Sequence, residues 1–252
     1  MPLFPTSSIL ISATVVILTT AFLRLLYVLP SIHPSRPVAR KRGSPTRLLV
    51  VLGSGGHTSE MIAMLRRLDT SLYMQRSYVV SEGDDFSARV AASFENSIAH
   101  HKGVGPGGDA EGDNRALPAL EVFDISVVPR ARKIHQPLLT TPVSALRCLL
   151  ACFKILAHPS TSSSMGPEYP DLILTNGPGT AVCVVLACLV TKFFGFKGTS
   201  GKMRTIYVES WARVKRLSLS GKILLWCVDR FLVQWEGLQS AGGRAEFKGV
   251  LV

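Results

Sequence analysis

Three turns in this sequence combine residue types that suit phosphate chemistry. The first, Gly53-Ser54-Gly55-Gly56-His57-Thr58-Ser59-Glu60, follows an apolar run and opens a helically patterned one. Glycines there permit positive φ and let backbone N–H groups approach an anion, and a helix N-terminus adds about half a positive charge. Phosphate or pyrophosphate is the natural occupant. His57, at the helix start, could hydrogen-bond a phosphate oxygen or act as a base, or it could cap and pack the turn, with Thr58 or Ser59 as alternative caps. The second turn, Asn176-Gly177-Pro178-Gly179-Thr180, exposes backbone before another helix and suits a second phosphate, a crossing chain or a tight structural turn. The third places Glu209 at a strand end beside Trp211, Arg213, Lys215 and Arg216. Those cations could meet phosphate or lipid head groups, or simply form a solvated face.

Short apolar runs that alternate with helical ones must position these turns, the pattern of βαβ units on a parallel sheet. Strands are expected at residues 47–52, 76–81, 121–128, 171–175, 204–209 and 230–235. Helices are expected at 58–68, 84–97, 143–156, from 181 and at 219–227. This is a Rossmann-like α/β fold in one domain, 47–252, and 47% hydrophobic residues fill such a core. In such a sheet ligands bind beyond the carboxyl ends of the strands, where the three turns follow strands one, four and five. Residues 100–114, rich in Gly and charge, read as a loop or insertion, and 159–166 as a Ser-rich loop.

Residues 7–29 form an apolar segment long enough to cross a hydrocarbon core of roughly 30 Å. Its one charge, Arg24, can snorkel to the interface beside Tyr27, and Pro30 stops the helix. No basic residue precedes it, and Arg36, Arg40, Lys41, Arg42 and Arg47 follow, so 30–46 is a basic cytosolic linker by the positive-inside rule. The net charge of +11 favours anionic partners, and its placement points to a membrane surface rather than nucleic acid. A second apolar run, 181–196, contains Lys192 and is too short to span, so it reads as a core helix. The five cysteines lack a C-x-x-C pair and zinc-spaced histidines; buried thiols are expected, with no metal and no cofactor.

The segments LGSGGHTSEM, PRARKIHQP, PDLILTNGPGT, IYVES-ARV, LSLSGKILL and DRFLVQW occur in that order after an anchor. Together they resemble the membrane-anchor subunit of the two-subunit UDP-N-acetylglucosamine transferase of the dolichol-linked oligosaccharide pathway. The resemblance implies the N-terminal, acceptor-side half of a GT-B glycosyltransferase, inactive alone, on the cytosolic face of the endoplasmic reticulum. It implies two partners, a soluble catalytic subunit that binds UDP-N-acetylglucosamine and the acceptor dolichol-diphosphate-N-acetylglucosamine. About seventeen residues follow the sixth strand, too few for a second Rossmann domain of on the order of 100. The resemblance sets Gly55, Gly56 and His57 against the acceptor diphosphate, with His57 as general base, and the turns themselves add Gly53, Ser54, Thr58, Asn176, Gly177, Gly179, Glu209 and Arg213 as candidate phosphate and acceptor residues. The apolar tail, Phe247, Val250, Leu251 and Val252, would dock the partner or form a last strand of its own sheet. A rival reading is a membrane-anchored oxidoreductase, with dinucleotide pyrophosphate on the first loop and Glu82 on a ribose hydroxyl. Against it, Thr58 stands where the third glycine of the fingerprint belongs.

Overall fold

The computed structural model describes residues 6–33, 46–69, 72–73, 75–103, 122–132, 136–157 and 169–252. Most of the basic linker, much of the 100–114 stretch and the Ser-rich loop lie outside them. Seven parallel strands form one sheet in the order β3-β2-β1-β4-β5-β6-β7. They are β1 (Arg47–Val51), β2 (Gln75–Ser81), β3 (Val122–Val128), β4 (Leu172–Asn176), β5 (Arg204–Val208), β6 (Arg230–Val233) and β7 (Ala245–Phe247). The central β1, Arg-Leu-Leu-Val-Val, is buried along its whole length, as expected of a strand covered on both faces.

Its side chains alternate between two layers. Leu48 and Val50 pack with Met61, Leu65, Tyr78 and Phe94 under α2 (Gly56–Arg66) and α3 (Asp85–Gly103). Leu49 and Val51 pack with Cys148, Cys152, Val184 and Cys188 under α4 (Thr141–Leu156) and α5 (Thr180–Phe194). A third cluster joins α5 and α6 (Leu219–Leu224) to the far strands through Val185, Leu224, Phe231 and Val233. All five cysteines are free thiols, and α5 is the buried core helix expected of its composition.

Arg76 and Glu95 form a buried ion pair. Arg76 of β2 donates from Nε and Nη2 to the two carboxylate oxygens of Glu95 on α3, at 2.7 and 2.6 Å. Both side chains are almost fully enclosed, so this bidentate pair locks α3 onto the sheet. Burial, with the adjacent Glu95 carboxylate, holds the Tyr78 phenol far above its ordinary value.

Three features depart from the sequence reading. Arg47, grouped with the membrane-facing cations, is buried in β1; its N–H donates to Asp171 and its Nη2 to Ser77. The reason is the sheet itself, whose neighbouring strands supply the acceptors a buried guanidinium needs. Helix α3 runs on to Gly103, so the first residues of the expected 100–114 loop are helical. Of the two roles expected for the tail, the last strand of its own sheet is formed: β7 runs parallel to β6 and is tied to it by Arg230 Nε donating to Glu246 at 3.1 Å. Phe247 is therefore partly buried against its own core.

The remaining difference concerns the apolar helix α1 (Thr6–Val28), whose stretch Ser8–Val28 is long enough to cross a membrane, with a mean hydropathy of 2.2 and no residue buried. Arg24 lies over the Tyr27 ring, 5.5 Å from its centroid, as a snorkelling residue would. It also reaches the soluble domain, donating from Nε and Nη2 to the carbonyls of Phe193 and Lys192, both at 2.9 Å. A cation there answers the unpaired carbonyls at the C-terminus of α5.

Candidate functional site

The strand order reverses between β1 and β4, so the loops that follow these two strands flank a crevice at the carboxyl edge of the sheet. Each loop ends in a helix N-terminus with no side-chain cap: Gly55 (φ 64°) precedes α2 and Gly179 (φ 61°) precedes α5. A Cβ added to Gly55 or Gly56 would meet nothing within 4 Å among the described residues. The arrangement brings main-chain donors and two positive helix ends to one crevice, which is chemistry suited to an anion.

His57 packs against one glycine from each loop. A Cβ on Gly53 would lie 2.7 Å from His57 Cβ, and one on Gly177 only 3.1 Å from His57 Cγ. Both positions lack a side chain because the histidine occupies that space. Asn176 Nδ2 donates to the His57 carbonyl at 2.7 Å, tying the second loop to the first. One turn along α2, the Glu60 carboxylate stands 4.0 Å from His57 Nδ1. The Ser210 hydroxyl donates to Glu60 at 2.8 Å and brings in the third loop. His57 Nδ1, Glu60 Oε2 and Asn176 Oδ1 are buried without a hydrogen-bond partner among the described residues. Native proteins rarely leave such atoms unsatisfied, so this cluster is the part of the crevice whose polar groups have contacts to spare.

The match to known proteins now has a geometry to explain. The family model described as "Oligosaccharide biosynthesis protein Alg14 like" matches residues 48–251. The chain belongs to the Alg14 family. Among its relatives is the UDP-N-acetylglucosamine transferase subunit ALG14 of Cryptococcus neoformans, 40% identical over 231 residues, 91% of this chain and 90% of that one. The ALG14 subunit of Yarrowia lipolytica is 36% identical and covers 98% of this chain and 99% of its own. The human ALG14 subunit is 33% identical over 81% of this chain and 82% of its own. Among solved structures, Acinetobacter baumannii MurG superposes with a TM-score of 0.50 at 11% identity, over 80% of this chain and 44% of the MurG chain. That likeness concerns the fold, one Rossmann half of the GT-B architecture. Membership of the Alg14 family gives no support to the oxidoreductase reading.

Within this Alg14 family member, the sequence-expected residues sort into three groups. Gly53, Ser54, Gly55, Gly56 and His57 of the first loop and Asn176, Gly177 and Gly179 of the second come together at the switch point. Thr58 does not face the crevice: it is fully buried, its hydroxyl bonded to the Gly53 carbonyl and, at 2.6 Å, to Ser87 Oγ. It braces the loop from behind, with Ser87 held in turn by Asp84 at 2.7 Å. Glu209 also turns inward. Its carboxylate, 1% exposed, accepts from the Ser218 N–H at 3.0 Å and the Ser218 hydroxyl at 3.1 Å. It thereby fixes the loop 210–218 and the Ser218 cap of α6, and Gly221 is required because a Cβ there would lie 2.1 Å from Glu209 Oε2. Burial, then the Glu209 charge, raises the Tyr207 phenol well above its ordinary value and keeps it neutral. Arg213, Lys215 and Arg216 are exposed on that loop.

Two connectors, Glu60 and Ser210, were not singled out by the sequence reading. Glu60 had a signal, since three residues after His57 it must share a helix face with it. Ser210 had none, because its partner lies 150 residues away.

Proposed function

We propose that this chain is the membrane-anchoring, acceptor-presenting subunit of a UDP-N-acetylglucosamine transferase acting in oligosaccharide assembly for protein N-glycosylation. Its relatives carry the name of a transferase subunit, and its α1 is an apolar helix of spanning length. In this reading α1 holds the domain on the cytosolic face of the endoplasmic reticulum, and a soluble catalytic subunit supplies the UDP-N-acetylglucosamine site. Transfer then converts dolichol-diphosphate-N-acetylglucosamine to its chitobiosyl form. The acceptor diphosphate lies against the main chain of Gly55, Gly56 and His57 at the N-terminus of α2, facing the donor across the subunit boundary.

The observation that carries this reading is the trio of unsatisfied buried atoms on His57, Glu60 and Asn176 beside two uncapped helix N-termini. An imidazole in that place can take the proton of an attacking acceptor hydroxyl while Glu60, near Nδ1, stabilises the imidazolium that results. Asn176, held by its bond to the His57 carbonyl, keeps Oδ1 directed at the same space.

Partner docking is assigned to the end of the chain. β7 is the last strand in the sheet order, and Val250 beyond it is 48% exposed. The Leu251 N–H donates to Gln234 at 3.1 Å and Arg67 donates to the Val250 carbonyl at 3.3 Å, which fixes the direction of the tail. An open strand edge beside apolar Val250, Leu251 and Val252 suits addition of another chain, with Phe247 serving its own sheet.

One experiment separates the two roles. The full chain is co-expressed with the soluble subunit, and membranes are assayed for sugar transfer and for bound partner. His57→Ala should lower transfer by about 10²-fold or more with recruitment intact. Removal of residues 250–252 should release the partner. Full transfer by His57→Ala rejects the histidine's role, and unchanged co-sedimentation of the truncated chain rejects docking at the tail.

A further inference from the structure

We propose that the basic cavity between the membrane helix and the start of β5 is a second binding site, one that takes the phosphate head group of an anionic membrane lipid. The cavity has a volume of about 710 Å³ and is lined by Arg24, Tyr27, His33, Lys192, Lys202 and Arg204, together with the loop around Ser200. It belongs to the opposite edge of the sheet from the glycine-rich crevice. Arg204 opens β5 and Asp171 immediately precedes β4, whereas Gly177 follows the end of β4, about 20 Å from Asp171 by strand rise.

Its charge is unbalanced in the direction a phosphate needs. Lys202 is 3.3 Å from Asp171 and Lys192 is 3.9 Å from Asp229, so these two lysines are matched by two carboxylates. Arg24 and Arg204 have no ion pair among the described residues. Arg24 donates only to the carbonyls that end α5, and Arg204 Nε is buried without a hydrogen-bond partner among the described residues. Two guanidiniums that converge on one cavity, one with an unspent buried donor, offer the directional contacts that phosphate oxygens accept.

The position of the cavity selects a lipid. Tyr27 and Val28 on its wall are the last residues of the spanning helix. Beside it Phe194 and Phe196 are 67% and 53% exposed, with ring centroids 6.1 Å apart. Gly195 lies between them at the αL end of α5, close enough that an added Cβ would be 3.2 Å from Arg24 Nη2. Exposed aromatics and an arginine at the end of a spanning helix mark the level where acyl chains meet head groups. A phosphate at that depth is carried by a membrane lipid. Its head group would bridge α1 to the α5 end and β5, and so set the height at which the domain stands on the bilayer.

The full chain in mixed micelles of phosphatidylcholine and phosphatidic acid, examined by native mass spectrometry, tests the site. Selective retention of one phosphatidic acid is expected. Retention should fall about tenfold in Arg204→Gln, the factor carried by one charge-assisted hydrogen bond. Ser200→Glu, on the exposed rim, puts a carboxylate into the mouth without disturbing the core and should also release the lipid. Arg89→Gln removes an equal charge from exposed α3 and should leave retention unchanged. Equal retention of both lipids, insensitivity to Arg204→Gln and Ser200→Glu, or an equal loss in Arg89→Gln would overturn the proposal. So would inorganic phosphate that displaces the lipid at equimolar concentration, since a free anion would then be the better ligand.

Discussion

A pair of glycine substitutions isolates what the first loop does from what it merely fits. In Gly53→Ala the new Cβ would lie 2.7 Å from His57 Cβ, about 1 Å inside ordinary carbon contact. Neither atom sits on a flexible side-chain end, so the start of α2 must shift. Overpacking of this kind costs about 1–3 kcal/mol, and a displacement of about 1 Å at a reacting group can lower a rate by about 10²-fold. In Gly56→Ala the new Cβ meets nothing within 4 Å, and alanine is favoured over glycine in a helix by about 0.5–1 kcal/mol. The fold should therefore tolerate Gly56→Ala or gain slightly. If an acceptor diphosphate approaches the main chain there, the same methyl stands in its path, and transfer falls although stability does not. The assay is a thermal melt of the detergent-solubilised chain beside sugar transfer by the membrane complex. Full transfer in Gly56→Ala would refute approach of the anion at that point, and an unshifted melt in Gly53→Ala would refute the placement of His57.

The remaining predictions concern the scaffold. Glu95→Gln leaves the Arg76 charge buried without its counter-ion and should destabilise the domain by about 3–5 kcal/mol, read as a lowered melting temperature. The double change Arg76→Met with Glu95→Leu should recover much of that loss. Hydrogen bonding from Arg230 holds the Glu246 carboxyl below its ordinary value of 4.5, so this pair stabilises β7 above that pH and loses its contribution as the pH falls through and below it. The drop in melting temperature between about pH 6 and pH 4 should be smaller in Glu246→Gln than in the native chain. Hydrogen bonding with Cys152 pushes the Cys148 thiol up to about 12, and burial does the same for Cys188. Both should resist alkylation in the folded protein and react once it is unfolded, as mass spectrometry of the labelled chain would report.

Local chemistry made much of this protein legible. A run of apolar residues long enough to span, six of the seven strands and the glycine-rich turn are each encoded within about ten to twenty-five neighbouring residues, the range over which periodicity and turn preference act. His57 stands out in the sequence for the same reason, as a titratable group at the junction of strand and helix. The directions of the side chains around it are a different matter. Thr58 and Glu209 occupy positions where a ligand contact was expected, yet both serve the protein, because Ser87 lies behind one and Ser218 beside the other. Arg47 is held by Asp171, 124 residues away, and Arg24 by the end of α5, 168 and 169 residues away. Residue types and local spacing determined that a glycine-rich loop opens a helix after β1 and that an apolar helix of spanning length precedes the domain. Which polar groups face the crevice, and which cations are left over at the membrane edge, was decided only when distant strands and helices supplied partners for the others.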